Sequence, residues 1–466
     1  MRTTQLRIAG VHAAKLREHL FPGDGKEAVA FALCGRHRGD RHDVLVVRDV
    51  YPVAYADCPV REEGRVTWRT ESLEPLLLTA ADEHLGVVKF HSHPTNFPQF
   101  STTDDKSDAD LFPSIYGWVD DEGPHASVVM LADGRVFGRS IDAKNRFVPL
   151  ERIIVAGDDV AIHFGDGDAD AAPGHAQRHQ QLFGAATTRL LRSLTVGVVG
   201  CSGTGSFVIE MLARLGVLRL VLVDPDHVEY RNLNRIVGSS ATDAALRRLK
   251  VETLAESVAS MGLGTEVIPI ARHLSTREAV RAIAGCDLVF GCMDSHEGRR
   301  TLNRLASFYV LPYVDCGVGL EADGAGGIDK VTVASHYVQP GASSLLERGA
   351  IQQKRANAES MARGDPAAYA ELRRQKYIDG VEEDRPAVIS VNALAASLAV
   401  NEMLARIHPY RADPNERFAS VRFAYSDMHL DLEAETRTGA LKRALGRGDV
   451  EPLLDMSELS LGEKRQ

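Results

Sequence analysis

Residues 195–206, T-V-G-V-V-G-C-S-G-T-G-S, decide the fold of the second half of the chain. The apolar first part predicts a buried strand, and the glycines predict a tight turn that leads directly into a helix. Glycine lets backbone N–H groups approach a phosphate, and a helix N-terminus favours negative charge. Taken alone, the stretch fits nucleotide sites in general, and it also fits a plain strand–helix turn.

Strands and helices alternate from this stretch onward. Apolar runs at 218–224, 266–271, 287–292 and 312–316 predict strands. This alternation predicts a parallel, doubly wound α/β sheet. Helices are predicted at 206–215, 243–260, 297–308 and 387–406, and Gly216 is predicted to end the first of them. Ser275 and Glu278 form the predicted capping box of one further helix.

The first part of the chain has a different, α+β pattern. Apolar runs at 28–34 and 43–50 predict a hairpin, residues 72–83 a helix and residues 86–90 a buried strand. Asp133-Gly134 predicts a second hairpin. Because residues 156–178 are rich in Gly and Asp, we expect a linker there. The predicted organisation is a first domain at 1–155, a second at 179–435, and a tail at 436–466 with no assigned role.

Composition narrows the class of protein. The 466 residues carry a formal net charge of -10, which argues against nucleic acid as the main partner. The six cysteines are scattered without C-x-x-C pairs, which predicts a reducing compartment and no disulfide framework. Neither a signal peptide nor a membrane span is evident, so we expect a soluble, cytoplasmic chain.

A group of metal-ligating residue types follows the strand predicted at 86–90. His91 and His93 are two residues apart, so both side chains can point the same way from a strand end. With Asp104 they offer two imidazoles and a carboxylate, a set that suits Zn²⁺ with a fourth position open for water. Ser101 can face the same site. A lone H-x-H is usually structural, but this spacing favours a metal site.

The segment H-S-H-P-x6-S-x-x-D closely resembles the JAMM (MPN+) zinc metalloprotease motif over its full length. The resemblance implies an α+β JAMM/MPN domain with His91, His93 and Asp104 as zinc ligands. It also implies Ser101 as the oxyanion donor, and a glutamate on an early strand that assists the zinc water, best matched by Glu27. The substrates of that family are isopeptide or peptide bonds that follow the C-terminal glycines of ubiquitin-like proteins.

Downstream residues narrow the glycine-rich stretch to a triphosphate site. Asp224 ends the second predicted strand, where a carboxylate can hold a ribose hydroxyl. A nicotinamide oxidoreductase needs only that, and leaves the N-L-N-R segment and Lys250 unexplained. Two cations, Arg235 and Lys250, with the later carboxylate Asp294, suit ATP and Mg²⁺.

This second pattern is similar to the ThiF/MoeB-like adenylyltransferases, the family of ubiquitin-activating enzymes. That likeness covers roughly residues 178–410 and implies a Rossmann-like domain that adenylates the C-terminus of a ubiquitin-like protein with ATP and Mg²⁺. It assigns the glycines to the nucleotide loop, Asp224 to ribose, three residues to phosphates and Asp294 to Mg²⁺. The residues so assigned are Gly200, Gly203, Gly205, Asp224, Asn232, Arg235, Lys250 and Asp294.

The segment R-H-Q-Q-L-F-G resembles the family's R-Q-x-x-x-x-G element. That resemblance makes Arg178 a candidate arginine finger for the ATP site of a partner subunit, and so implies a homodimer. A solvated linker arginine is the open alternative for Arg178.

Several positions depart from the family pattern. Ser202 stands where relatives usually have glycine, Ile236 replaces a common glutamine, and the two C-x-x-C pairs of a zinc knuckle are absent. No cysteine follows Cys316, so the sequence does not favour a thioester formed on a crossover loop. The activated carboxylate could therefore pass to a sulfur donor, an amine, or the cysteine of a separate conjugating enzyme.

The two families that the chain resembles both act on the C-terminal glycine tail of a ubiquitin-like protein. The sequence predicts activation of a ubiquitin-like protein, combined with zinc-dependent processing or deconjugation of that protein. By analogy, the context is a bacterial ubiquitin-like modification system, including antiviral defence. Two alternatives stay open: maturation of a sulfur carrier for cofactor or cysteine biosynthesis, and a non-catalytic scaffold.

Overall fold

A computed structural model describes residues 2–119, 121–165, 176–325, 327–375, 386–436, 439 and 441–460. The chain forms two compact units. The first contains Met1–Asp168, Ser307–Val310 and Ala444–Met456, and the second contains Ala169–Ala306, Leu311–Arg443 and Ser457–Gln466. In the described ranges, no helix combines the length and apolar character that crossing a bilayer requires.

A nine-stranded mixed sheet organises the first unit, in the order β11-β10-β1-β3-β2-β6-β7-β8-β9. A separate ribbon pairs β4 with β5. The elements are β1 (Thr3–Ala9), α1 (Gly10–Leu20), β2 (Val29–Arg38), β3 (His42–Pro52), β4 (Val60–Glu62), β5 (Arg65–Thr67), α2 (Glu74–Asp82), β6 (Gly86–His93), α3 (Thr102–Trp118), β7 (His125–Leu131), β8 (Val136–Ile141), β9 (Phe147–Pro149), β10 (Arg152–Ala156) and β11 (Val160–Phe164).

Helices cover both faces of this sheet because its central strands bury both sets of alternating side chains. On β6, Val88 and Phe90 face the cluster that includes Leu16 of α1. Val87 faces the opposite cluster, which includes Phe112 of α3. Every residue of β6 is buried. The face of β6 that carries its odd-numbered residues therefore lies under α3.

Two parts of the first unit lie outside the domain expected from the sequence. Residues 160–164 were predicted to belong to the linker because the segment around them is rich in Gly and Asp. They form β11 at the sheet edge instead, where they pair antiparallel with β10. Residues 166–175 of that linker lie outside the described residues. The tail, predicted without a role, contributes Ala444–Met456: Gly35 N–H donates to Gly446 O at 3.0 Å, and Asp449 N–H donates to Arg36 O at 2.7 Å.

The second unit confirms the α/β prediction. Its sheet has the order β14-β13-β12-β15-β16-β17-β18-β19. The first five strands in this order are parallel to one another, and the last three are added by antiparallel pairing. The elements are α4 (Gln177–Leu191), β12 (Thr195–Val199), α5 (Gly203–Leu215), β13 (Arg219–Val223), α6 (Ala241–Ala245), α7 (Lys250–Ser260), β14 (Glu266–Ile270), α8 (Arg277–Ala284), β15 (Leu288–Gly291), α9 (His296–Phe308), β16 (Tyr313–Ala322), β17 (Ile328–Val338), α10 (Gln353–Gly364), α11 (Pro366–Arg374), α12 (Ile389–Ile407), β18 (Ser420–Ala424) and β19 (His429–Glu433).

Two helix predictions in this unit were wrong in detail. The single helix expected at 243–260 is two helices, α6 and α7, interrupted where Arg247 has a φ of 47°. The expected capping box of Ser275 and Glu278 is absent, since Thr276 caps α8 by accepting from Ala279 N–H at 3.3 Å. The first correction has a consequence for the site, because it makes Lys250 the first residue of α7 rather than a mid-helix residue.

Replacing Gly448 with alanine is expected to destabilise the first unit by about 3 kcal/mol. Gly448 has a φ of 64°, and an added Cβ would lie 2.6 Å from the Arg36 backbone nitrogen. Gly349→Ala is the matched control, since Gly349 has a φ of 65° and no atom within 4 Å of the added Cβ. Calorimetric unfolding of the full chain measures both variants, and equal losses would contradict the prediction.

Candidate functional sites

Strand β6 positions the two histidines of the first candidate site. His91 and His93 lie on the strand itself, on the face beneath α3, and both are buried. Their Nε2 atoms are 3.2 Å apart. His93 Nδ1–H donates a hydrogen bond to the Phe97 carbonyl oxygen at 2.8 Å. In the neutral ring, this bond leaves the lone pair on Nε2, the atom nearest to His91.

The start of α3 supplies the carboxylate. Ser101 is the N-cap of α3 and forms a capping box with Asp104, because its hydroxyl accepts from Asp104 N–H at 3.2 Å. In return, the Ser101 N–H and hydroxyl both donate to Asp104 Oδ2 at 2.7 Å. The capping box therefore fixes the rotamer of Asp104 as well as the start of the helix.

The three side chains converge on one point. Asp104 Oδ1 lies 3.0 Å from His91 Nε2, and Asp104 Oδ2 lies 3.4 Å from His93 Nε2. One possible ligand atom from each residue lies within 4.8 Å of the others. Two imidazole nitrogens and a carboxylate oxygen are a donor set that fits Zn²⁺ with one position left open. The residues present thus fit the metal that the sequence pattern implies.

Electrostatics agree with a cation site. Burial raises the pKa of Asp104, but hydrogen bonds with His91 and His93 outweigh burial and hold that pKa well below its usual range. Burial lowers the pKa of His91. Burial also lowers the pKa of His93, but the hydrogen bond with Asp104 and further contacts leave it above its ordinary value. Metal binding needs both imidazoles neutral and Asp104 ionised, so protonation of the histidines at acid pH would compete with the metal.

Glu27 lies beside this cluster, in the turn before β2. Its Oε1 is 4.0 Å from His93 Nε2, and its side chain is buried. Burial, and secondarily the Asp104 carboxylate, raise the pKa of Glu27 to about 7, against the opposing effect of His93. A carboxylate with a pKa near neutrality can both accept and return a proton.

The glycine-rich stretch in the second unit forms a close turn between β12 and α5. Gly200 has a φ of 93°, and a Cβ there would lie 2.8 Å from the Cys292 backbone. At Gly205, a Cβ would lie 2.9 Å from the Gly200 carbonyl carbon. Side chains are excluded at both positions, so only glycine lets β12 turn this closely into α5, whose N-terminus favours negative charge.

Acidic and basic residues meet at the carboxyl end of β13. Asp224 is buried and accepts from Cys201 N–H at 2.7 Å and Asp226 N–H at 2.9 Å. Lys250 Nζ lies 2.7 Å from Asp226 Oδ2 and 3.9 Å from Asp224 Oδ1. Burial raises the pKa of Asp224. The structure therefore brings together Asp224 and Lys250, both predicted from the sequence. Asp226, two residues after Asp224 and given no role in the sequence analysis, joins them.

The N-L-N-R segment lies against the glycine loop. Arg235 is close to it, since a Cβ on Gly203 would lie 3.1 Å from Arg235 Cδ. The Arg235 guanidinium donates to Arg231 O at 2.8 Å and to Asn234 Oδ1 at 3.0 Å. Asn232 is buried, and its Oδ1 accepts from Glu229 N–H at 3.1 Å, which closes a turn.

Two further candidates are exposed. Asp294 follows β15, in the segment whose Met293 backbone nitrogen would lie 3.1 Å from a Cβ on Gly200. Arg178 lies near the start of α4, and in the described part of the chain no hydrogen bond or ion pair joins it to the nucleotide cluster. All six cysteines are free, and Cys316 is buried with its Sγ 3.8 Å from Cys292 Sγ.

Asn392 was missed by the sequence reasoning. It is buried on α12, its side chain would contact a Cβ on Gly203, and its Oδ1 accepts from the Thr204 hydroxyl at 3.4 Å. One sequence feature could have found it, because Asn392 is a polar residue near the start of a long apolar helix.

Two protein families match the chain, one in each of its two parts. The model of the ThiF family matches residues 175–442. A second family, described as prokaryotic homologs of the JAB domain, matches residues 11–140.

Individual relatives match only part of the chain. Ubiquitin-like modifier-activating enzyme 5 of Oryza sativa subsp. japonica is 31% identical over 142 residues, which cover 28% of this chain and 34% of the relative. Adenylyltransferase and sulfurtransferase UBA4 of Meyerozyma guilliermondii is 33% identical over 143 residues, covering 30% and 33%. The chain thus spans about a third of the length of these curated relatives. A crystal structure of E. coli MccB with ATP has a TM-score of 0.41 and 18% identity, covering 60% of this chain and 74% of that one.

Replacing His93 with alanine is expected to lower the zinc affinity of the purified full chain at least about 100-fold, because one of three ligands is lost. Chelator competition at pH 7.5 measures this affinity. His163→Ala, on β11 and outside the converging set, is the control and should bind zinc as the unmodified chain does. Equal zinc affinity in both variants would remove the metal assignment.

Proposed function

The chain belongs to the ThiF family and carries a JAB-type domain, and we propose that it has two linked activities. The second unit activates the C-terminal carboxylate of a ubiquitin-like protein with ATP. The first unit is a zinc-dependent peptidase that processes the same protein or removes it from conjugates. The observation that supports the proposal most directly is that one chain brings His91, His93 and Asp104 together in its first unit and Asp224, Asp226 and Lys250 together in its second.

The nucleotide cluster supports activation. Transfer of the adenylyl group of ATP to a carboxylate needs an anion cradle, cations for the leaving pyrophosphate, and a ribose anchor. The glycine loop of Gly200, Gly203 and Gly205 suits the first role, Arg235 and Lys250 the second, and Asp224 the third. The substrate carboxylate would attack the α-phosphorus, the α–β anhydride bond would break, and acyl-adenylate and pyrophosphate would result.

Lys250 would change partner when ATP binds. In the structure its ammonium group is paired with Asp226 at 2.7 Å. A triphosphate carries more negative charge than one carboxylate and competes for that cation. Asn232 is a candidate for a phosphate contact, and Asp294 offers the hard oxygen ligand that Mg²⁺ takes together with substrate phosphates.

The converging set His91, His93 and Asp104 supports the peptidase. A bound Zn²⁺ would supply a Lewis acid that acidifies water and polarises the substrate carbonyl. Glu27 is positioned beside that set to take a proton from the attacking water and to return it to the leaving amine. Ser101 orients Asp104 through the capping box, where its hydroxyl donates to Asp104 Oδ2. As the proposed donor to the developing oxyanion, that hydroxyl would turn its one proton away from Asp104, which keeps the bond from the Ser101 N–H.

The wider context is part of the proposal. A soluble bacterial modification system, with a homodimer in which Arg178 reaches the partner's ATP site, agrees with the family resemblance. Maturation and activation of a sulfur carrier is the second candidate, favoured by the likeness to an adenylyltransferase and sulfurtransferase. A thiocarboxylate product with no conjugates would distinguish it. Turnover at either site would exclude a non-catalytic scaffold.

ATP–pyrophosphate exchange tests the activation. With a ubiquitin-like protein that ends in glycine, exchange is expected from the unmodified chain. We expect at least about a 100-fold loss in Asp294→Ala, because a Mg²⁺ ligand is removed. His91→Ala serves as the control and should retain exchange, since it belongs to the other unit. Exchange that survives Asp294→Ala, or that is absent in all three proteins, would reject the activation as proposed.

Peptidase activity should fall as the pH drops. The pKa of Glu27 is raised to about 7, and its active form as a base is the carboxylate, which is populated above that pKa. A nearby bound cation favours the ionised carboxylate and so shifts the acidic limb of the pH–rate profile to lower pH. On a fusion cleaved after the glycine tail, log kcat/KM should rise with unit slope to a plateau, with its midpoint at or below about pH 7.

Glu27→Gln tests the origin of that limb. We expect kcat/KM to fall about 100- to 10,000-fold while zinc stays bound, because a base and not a ligand is removed. A variant with an unchanged rate and an unchanged pH limb would show that another group titrates.

A further inference from the structure

A second group of charged side chains lies under α3, outside the converging metal set. Lys89 is on β6 two residues before His91, so its side chain is on the same face of the strand. Asp108 is on α3 four residues after Asp104, one turn further along the same side of the helix. The Lys89 ammonium and the Asp108 carboxylate form an ion pair, and both residues are almost fully buried.

Arg139 of β8 completes this group. Its Nε and Nη2 both donate to Asp108 Oδ2, at 3.0 Å and 2.6 Å, and its Nη1 donates to Asp105 at 2.5 Å. Strand register explains the meeting, because Lys89 pairs with Ser127 of β7 and Ser127 pairs with Arg139. The cations thus lie in one row across three strands, and the first turns of α3 lie over that row.

The same guanidinium also contacts the loop before α3. Arg139 Cζ lies 3.9 Å from the centroid of the Phe100 ring and 4.2 Å from that of Phe147. Phe100 directly precedes Ser101, the residue that caps α3 and holds Asp104. Arg139 therefore constrains the helix start from both sides, through Asp108 and Asp105 on the helix and through Phe100 before it.

Stability alone gives little reason for this arrangement. Removing charged groups from water is costly, and well-packed apolar side chains often replace a buried ion pair without loss. Charged hydrogen bonds are directional, however, and fix the registry of the elements that they join. Here they join the helix that carries Asp104 to the strand that carries His91 and His93.

We infer that Lys89, Asp108 and Arg139 are positioning residues, which form a clamp that sets the distance and direction of Asp104 relative to His91 and His93. The clamp defines the geometry of the metal-ligand set while contributing no ligand to it. This inference rests on the proposed zinc function of the first unit.

The test compares metal binding in the full chain with Asp108→Asn, which removes the charge and keeps the shape. Zn²⁺ affinity is measured by chelator competition, and the ligand geometry by the d–d absorption of Co²⁺, with His91→Ala as the blank. We expect zinc affinity to fall about 10- to 100-fold and the Co²⁺ bands to shift or weaken, as for residues that orient ligands.

Asp121→Asn is the control, because Asp121 is an ion-paired aspartate of the same unit, although it is less buried than Asp108. Asp121 pairs with Arg36 at 3.6 Å in the same unit, and Arg36 also donates to Leu85 O, just before β6 begins, at the end of the strand away from the histidines. A structural loss common to both aspartates would move the unfolding temperature in both variants. Only Asp108→Asn should change the Co²⁺ spectrum.

Arg139→Lys keeps the charge and loses the planar fork, and so tests the clamp if Asp108→Asn does not fold. Its zinc affinity should fall in the same direction by a smaller factor. Wild-type affinity and an unchanged Co²⁺ spectrum in the folded variants would overturn the clamp. Absence of metal binding by the unmodified chain would instead reject the zinc function itself.

Discussion

The packing of the first turns of α3 onto one face of β6 is the constraint on which the candidate metal centre depends. A strand alternates its side chains every two residues and a helix repeats every three to four, so few residues of each can face one another. Here those residues are His91 and His93 on the strand and Asp104 on the helix. A one-residue slip of β6 would turn both imidazoles to the other face of the sheet, away from Asp104.

The second unit uses a different constraint for the same purpose. Parallel strands end at one edge of the sheet, and the segments that follow β12, β13 and β15 meet there. Gly200 lies against Cys292 closely enough that no side chain fits between them. The break between α6 and α7 then brings Lys250, as the first residue of its helix, to Asp226 and Asp224. Backbone proximity and helix starts, more than side-chain packing, build this cluster.

Each site contains buried acidic side chains, and their surroundings shift the pKa values of these side chains. Burial raises the pKa values of Glu27 and Asp224, whereas opposing partners lower that of Asp104. A carboxyl group with a pKa near neutral pH can exchange protons, whereas one with a pKa well below neutral pH stays ionised and can remain a ligand. The different environments thus separate the roles proposed for Glu27 and Asp104, although the chemistry of the two side chains is nearly identical.

The sequence by itself determined the fold class of each half and the residue types of both sites. Those features depend on local periodicity, glycine positions and short spacings, as in residues 86–104 and 195–206. Only the tertiary structure decided that β11 lies in the expected linker, that Ala444–Met456 belongs to the first unit, and that Arg247 interrupts a helix. It also brought together Lys89, Asp108 and Arg139, and set Asn392 against Gly203. These contacts join residues far apart in the chain. Spacing along the chain indicates which side chains share a face of one element, but the packing of elements against each other decides which faces meet.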